Sequence, residues 1–445
     1  MSRNIYEVKV PGMIRENACA EAVVPGSKSI TNRALLIAAM ADGVSTLNGC
    51  LSSDDAAYFL ECIRTLGFPV EEEDDGALGK NIRITGFGGS IPNKNAEIYV
   101  GSAGTAARFL VAMLAFSDGV YTINSSEQMK KRPMQPLIDT LRSAGAGVEC
   151  LEEEGHFPLR ITGIGSKELI PSEFTVNIDK SSQFLSALLI AAGTFGKNTT
   201  IHVSGSHGLS YVDLTAEMMR HFGVSAEKVI LDGKVGYRLS GEEFYTARDY
   251  DIEPDMSAAA YFYALAAILG VTIRVKGVTE KMLQGDTQFI GVLEKMGCRR
   301  EVAEDGVIAL TGPVGGNLAG GFEVDMSSFS DQALTLAAIA PFADAPVEIT
   351  GISHIRLQEC DRIAAIIENL ASLGIRTDEF EDGVRIYPGE PDACDIETYD
   401  DHRVAMSFAL TGLRSQGVRI LDPQCCRKTF AEYFTQLEKV LNDLS

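Results

Sequence analysis

One element recurs five times along this chain: an amphipathic stretch that ends on glycine and runs into a short β-like segment. It surrounds Gly67, Gly145, Gly223, Gly297 and Gly374, which follow one another at a nearly even interval. Self-similarity at a fixed period means that the fold is assembled from repeated supersecondary units rather than around one irregular core. Glycine at that place fits the residue just past a helix C-terminus, where positive φ is needed. Charged and apolar residues alternate at helical spacing before it, so these helices are expected to lie outside.

A second element recurs six times, as runs of small and apolar residues from Asn32, Thr105, Ser182, Met256, Gln332 and His402. These runs are apolar nearly all round, which predicts buried helices. Short β-like runs lie between them, at 97–100, 159–162, 199–203, 271–275, 347–350 and 418–422. The reading is α/β: six α/β units, each with one buried and one exposed helix. They divide three plus three near the polar stretch 241–251.

Ser29, Gly104, Ser181, Asp255, Asp331 and Asp401 stand at or near the starts of the buried helices and repeat at much the same interval. All are acceptable N-caps, and for Asp255 capping is the preferred reading. The other starts carry more chemistry, in the segments 28–33, 102–108, 181–183, 330–331 and 401–403. Helix N-termini offer free N–H groups and a positive dipole end, which suits anions. Lys28, Arg33, Arg108, Lys130, Lys131, Arg132, Arg362, Arg403 and Lys428 add cations near these places or in basic runs of their own. The guanidinium fork matches carboxylate and phosphate. Asp331, and Glu359 three residues before Arg362, are carboxylates in basic company. They suit proton transfer, or form a structural salt bridge; spacing leaves both readings open.

Composition narrows the class. The formal charge of −22 argues against a general nucleic-acid or membrane-surface binder, because phosphate-rich surfaces need a basic face. It leaves room for small anionic substrates in a locally basic site. Nine cysteines without a CxxC pair read as thiols of a reducing cytoplasm. Six scattered histidines without HExxH give no reason to expect a metal. The N-terminus has no secretory pattern, and the apolar run 258–271 is too short to span a bilayer. No P-loop signature occurs, and the glycine-rich stretch 312–321 reads as a loop.

Seven motifs carry a family resemblance: PGSKSITNRAL (25–35), GSAGTAARF (101–109), MKKRP (129–133), SSQF (181–184), MLQGD (282–286), YDDHRVAMSFAL (399–410) and DPQCCRKTF (422–430). In order and over nearly the whole chain, they resemble the 5-enolpyruvylshikimate-3-phosphate synthase family of enolpyruvyl transferases. The resemblance implies a two-domain inside-out α/β barrel with three units per domain. Residues 1–26 with 248–445 would form one domain and 27–247 the other, with the active site in the cleft between them. It implies transfer of the enolpyruvyl group of phosphoenolpyruvate to the 5-hydroxyl of shikimate 3-phosphate, in a cytoplasmic monomer that needs no cofactor. Glyphosate inhibition is implied too, since Gly104 stands where sensitive members have glycine.

The resemblance also assigns roles. Lys28, Ser29, Arg33, Ser181, Ser182, Gln183, Tyr211, Asp331, His354 and Gln358 would meet shikimate 3-phosphate. Lys28, Gly104, Arg132, Arg362, Arg403 and Lys428 would hold phosphoenolpyruvate. Asp331 would accept the proton of the attacking hydroxyl, and Lys28 and Glu359 would handle the others. Gln358 stands where the family has lysine, His354 where asparagine is usual, and Gly208 where a phosphate-binding serine is common. Ser206 or Ser210 could replace that serine, and Lys180 could restore the cation. Ser102 and Phe109 also depart from the usual residues. A paralogue acting on a related cyclic acid is one alternative reading. Others are the transferase that acts on UDP-N-acetylglucosamine, whose loop cysteine is missing here, and a non-catalytic binding member.

Overall fold

The computed structural model describes residues 4–205 and 208–445; Ser206 lies outside the described residues. The chain forms two compact units, Gly26–Ile252 on one side and Met1–Pro25 with Glu253–Ser445 on the other. Among the described residues each unit holds three small sheets.

Five of the six sheets in the described residues share one four-stranded plan, and the sixth, which contains Ile5–Glu7, is a three-stranded version of it. Asn95–Tyr99 runs parallel to Val120–Asn124, and Leu159–Thr162 and Gly147–Cys150 follow antiparallel. A parallel pair cannot be closed by a tight turn and needs a crossover. Here the crossover is the buried helix Gly104–Ala115. Gln183–Ala192 plays the same part between Glu173–Asn177 and Thr199–Ser204. Ala333–Ile339 does so between Phe322–Asp325 and Val347–Thr350, and His402–Gly412 between Asp395–Ile396 and Arg419–Leu421.

The remaining two sheets explain where the chain divides. Cys19–Ala22 pairs in parallel with Thr272–Thr279, which ties the segment ending at Pro25 to Glu253–Ser445. Asp249–Asp251 pairs in parallel with Thr46–Asn48, which keeps the chain in the Gly26–Ile252 unit as far as Ile252.

Helices fill the inside of each unit and sheets cover it. Met256–Leu269 is buried at every position from Met256 to Ile268, and Lys28–Met40 from Ile30 onward. Strands such as Glu173–Asn177 and Leu159–Thr162 alternate buried and exposed residues, as a one-sided sheet must. Among the described residues no helix is long and apolar enough to cross a membrane.

The repeat glycines end the outer helices as expected. All five have positive φ, from 73° to 101°. In each, the amide after the glycine bonds back five residues, as in Phe68 N to Ile63 O at 3.2 Å and Ile375 N to Leu370 O at 2.8 Å. That is the helix-terminating arrangement in which a left-handed residue satisfies otherwise orphaned carbonyls.

Candidate active site

Two sets of side chains gather at the helix starts, one in each unit. In the Gly26–Ile252 unit, Ser27 caps the Lys28–Met40 helix, its hydroxyl accepting from Ile30 N at 3.4 Å. The expected cap position, Ser29, is already inside the helix. The first turn instead presents Lys28, whose Nζ lies 2.6 Å from Asp55 Oδ2. Asp55 was missed from sequence: it belongs to a different helix, where it is one of two aspartates in the first turn.

Arg33, one turn further on, is buried, and among the described residues its hydrogen-bond partners are neutral oxygens. Nε donates to Thr215 Oγ1 at 2.7 Å, Nη1 to Ser29 O at 2.9 Å, and Nη2 to Tyr211 O at 3.0 Å and Ser186 Oγ at 3.5 Å. Its guanidinium lies 5.4 Å from the centre of the Phe109 ring, which gives that departure a use. Burial pushes Arg33 down to about 10. A buried cation held this way favours an arriving anion, which would supply the missing countercharge.

Gly104 opens its helix directly beneath two guanidiniums. A Cβ there would stand 2.4 Å from Arg132 Nη1 and 3.0 Å from Arg108 Nη1. Arg108 also donates to Gln183 Oε1 at 2.6 Å, and Gln183 Nε2 donates to Thr105 Oγ1 at 3.1 Å. Gln183 is therefore fixed by partners from the neighbouring buried helix. Ser182 takes the N-cap position of the Gln183–Ala192 helix, and Ser181 Oγ accepts from Gln183 N at 3.3 Å. Gly208 has φ of +63°, and a Cβ there would come 2.7 Å from Ser182 Oγ. A serine would therefore strain the backbone and crowd Ser182 in this chain. Lys180 is exposed, and Ser102 Oγ pairs with Ser126 Oγ at 2.8 Å. Lys130 belongs to the surface, paired with Glu127 at 3.0 Å and Glu152 at 2.9 Å.

In the other unit the centre is Arg362. It is buried, and acceptors on this chain take all five of its N–H groups. Nε donates to Asp401 Oδ2 at 2.8 Å and Nη2 to Asp401 Oδ1 at 3.3 Å. Nη2 also donates to Glu359 Oε2 at 2.9 Å, and Nη1 to Asp331 Oδ1 at 3.1 Å and to Gln358. Arg403 Nη2 meets the other oxygen of Asp331 at 2.8 Å. Asp331 is thus clamped between two guanidiniums. Burial alone would raise its carboxyl, but Arg403 and Arg362 outweigh that and hold it below the usual aspartate value.

Two features of the local structure place these groups. Asp331 does not begin the helix proper. It sits in a 3-10 turn, Ser330–Gln332, ahead of Ala333–Ile339, so its carboxylate is free to face the arginines. Glu359 and Arg362 do not share a helical turn either. Asp361 caps the Arg362–Ser372 helix, and Glu359 reaches Arg362 across that cap. Asp255 is the cap expected, accepting from Ala258 N at 2.9 Å.

The remaining candidates surround this cluster or lie apart from it. His354 Nε2 is 2.8 Å from Ser330 Oγ, the residue before Asp331. Lys428 Nζ meets Asp400 Oδ2 at 2.8 Å, on the segment that leads into Asp401. Sequence reading did not foresee Asp401 as the buried partner of Arg362. Its N-cap role was legible, but the long separation in sequence hid the rest. Among the described residues no cluster of His, Cys, Asp and Glu is arranged to hold a metal ion.

Similarity to known proteins bears on these geometries. The family described as EPSP synthase (3-phosphoshikimate 1-carboxyvinyltransferase) matches residues 15–437. A curated relative of Trichormus variabilis, named 3-phosphoshikimate 1-carboxyvinyltransferase, is 42 % identical over 423 residues, 95 % of this chain and 96 % of that one. One of Halalkalibacterium halodurans, named 3-phosphoshikimate 1-carboxyvinyltransferase 2, is 44 % identical and covers 94 % of this chain and 91 % of its own length. Among solved structures, EPSP synthase from Acinetobacter baumannii aligns with a TM-score of 0.78 at 25 % identity, over 99 % of this chain and 98 % of that one. The enolpyruvyl transferase NikO from Streptomyces tendae, with a TM-score of 0.72 at 17 % identity, covers 97 % of this chain and 96 % of its own and shares the fold.

Proposed function

Because this chain belongs to the EPSP synthase family, and therefore transfers the enolpyruvyl group of phosphoenolpyruvate to shikimate 3-phosphate in aromatic biosynthesis, we propose that the two sets of side chains described above divide that reaction between them. The observation that carries the proposal is the Asp331 carboxylate held between Arg362 and Arg403, with Glu359 on the same arginine.

In this reading Lys28, Ser29, Arg33, Ser181, Ser182, Gln183, Tyr211, His354 and Gln358 bind shikimate 3-phosphate. Arg33 takes its carboxylate. Gly104, Arg132, Arg362, Arg403 and Lys428 bind phosphoenolpyruvate, with Lys28 near both substrates. Asp331 takes the proton of the attacking 5-hydroxyl. Glu359 and Lys28 serve protonation of the enol carbon and later loss of a methyl proton.

The saturation of Arg362 gives the sequence of events a physical basis. To serve phosphoenolpyruvate, Arg362 must release an acceptor. Asp331 is the most exposed of its three carboxylates, at 22 % against 14 % for Glu359 and 0 % for Asp401. Once Asp331 has taken the hydroxyl proton it no longer holds the two guanidiniums as an ion. They can then stabilise the charge on the departing phosphate, where preorganised cations act most strongly.

Phosphate release from phosphoenolpyruvate with shikimate 3-phosphate as acceptor tests the reading. Turnover is expected with that acceptor and not with UDP-N-acetylglucosamine or unphosphorylated shikimate. Release only with another acceptor would overturn it.

Two variants test the binding roles. Gly104→Ala is expected to displace Arg132 and raise the phosphoenolpyruvate KM about tenfold, a loss of about 1.4 kcal/mol. It should change kcat little and weaken inhibition by glyphosate, which competes with phosphoenolpyruvate in this reading. Lys180→Met is expected to raise the KM for shikimate 3-phosphate about threefold, since one exposed cation contributes modestly. An unchanged KM would remove Lys180 from the phosphate site.

We also propose that the chain acts in the cytoplasm as a monomer. Its nine free cysteines support a reducing compartment, and sedimentation of the purified protein reads the oligomeric state.

A further inference from the structure

The MLQGD motif ends on Asp286, which is buried at 4 % exposure and belongs to the same unit as Asp331. One of its oxygens, Oδ1, accepts two side-chain hydrogen bonds. Ser257 Oγ donates at 3.0 Å from the first turn of the Met256–Leu269 helix, and Gln332 Nε2 donates at 2.9 Å. Gln332 is the residue next to Asp331 and is itself fully buried. Its Oε1 accepts from Thr335 at 3.2 Å, which fixes the amide orientation toward Asp286.

The charged groups that act most strongly on Asp286 among the described residues are Asp331 in the 3-10 turn, Arg403 in the His402–Gly412 helix, and Asp255 at the cap of the Met256–Leu269 helix. Two carboxylates, Asp286 and Asp331, therefore stand in the field of one arginine. Burial first, and Asp331 second, push Asp286 up to about 6, whereas Arg403 and Arg362 keep Asp331 below the usual value against the effect of burial. Environments that drive two neighbouring carboxylates apart are the usual mark of an acid–base pair.

We propose that Asp286, held beside the Asp331 turn by its bond from Gln332, is a positioning residue whose charge, acting across the field of Arg403, sets how strongly Asp331 attracts the proton of the acceptor hydroxyl. A negative charge beside Asp331 opposes the two guanidiniums and makes Asp331 a stronger base. When Asp286 is protonated, Asp331 stays ionised but is a weaker base, and proton abstraction slows. The proposal rests on the reading of Asp331 as the proton acceptor.

Asp286→Asn separates charge from structure. Both hydrogen bonds go to Oδ1, which the asparagine carbonyl can keep. The readout is kcat for phosphate release across about pH 5 to 8 with the full-length enzyme and both substrates saturating. For the unaltered enzyme, the acid limb should have its midpoint near pH 6. Asp286→Asn should lose that limb and run about 3- to 10-fold slower at neutral pH, with both KM values unchanged.

Gln332→Met provides the second variant. It removes a hydrogen bond that favours the ionised form of Asp286, so the limb should move to higher pH rather than vanish. An acid limb unchanged in both variants would overturn the proposal, even if turnover fell, because a merely structural role predicts that pattern. Asp331→Asn, run alongside, distinguishes the two readings. If that variant keeps its turnover, the assignment of Asp331 falls and takes this inference with it. If it is inactive while Asp286→Asn keeps the parent profile, only this inference falls.

Discussion

Replacing Arg362 with leucine is expected to abolish phosphate release and to destabilise the unit that carries it by about 3–5 kcal/mol. The side chain is 2 % exposed and binds three carboxylates and an amide. Its removal leaves Asp401, at 0 % exposure, without the guanidinium that faces both its oxygens. An uncompensated buried charge costs far more than a surface ion pair contributes. Lysine is no substitute, because a single ammonium cannot reproduce the planar fork that reaches Asp401, Asp331 and Glu359 together. Adding Asp401→Asn to Arg362→Leu should return part of the lost stability by removing the stranded charge, while turnover stays absent. Urea denaturation followed by circular dichroism reads the first effect and phosphate release the second. A midpoint equal to the parent's would show that this arginine does not hold the cluster together.

Asp331→Asn should give the second large effect, a fall in kcat of about 10²- to 10⁴-fold, the usual range for losing a positioned general base. The amide keeps one carbonyl for an arginine but cannot take the hydroxyl proton. The KM for phosphoenolpyruvate should stay level or fall, because the carboxylate that competes for Arg362 and Arg403 has gone. That split separates a catalytic role from a purely electrostatic binding role, in which KM would change with kcat. A kcat within about fivefold of the parent's would refute the assignment.

Asp331 also links the site to stability. Its folded-state carboxyl lies below the ordinary value, so it stabilises the fold above the unfolded pKa. That contribution disappears as pH falls through the folded value. Asp286 has the opposite sign: its raised carboxyl costs stability as pH rises from the unfolded value toward about 6.

The architecture was largely legible before any coordinates. Glycines 67, 145, 223, 297 and 374 mark helix ends because a left-handed residue is a local requirement of the backbone. The small, apolar runs mark buried helices because their periodicity leaves no polar face, as Met256–Leu269 illustrates. Asp255 as a cap was equally local, its acceptor reaching an amide in the next turn. Gly104 was singled out from the motif, but the crowding that a Cβ there would meet from Arg132 and Arg108 is a tertiary feature.

What the sequence determined by itself is therefore the repeat, the inside and outside helices, and the set of residues gathered at helix starts. Each depends on contacts within one or two turns of chain. Only the tertiary structure decided which charge meets which: Lys28 with Asp55, Arg362 with Asp401, Arg403 with Asp331, and, among the described residues, Arg33 with neutral oxygens. Those partners lie far apart along the chain, and a charged side chain carries no periodicity that names its counterpart. Pairing is decided by burial, because a desolvated charge must find whichever opposite charge or dipole the packed helices bring within reach.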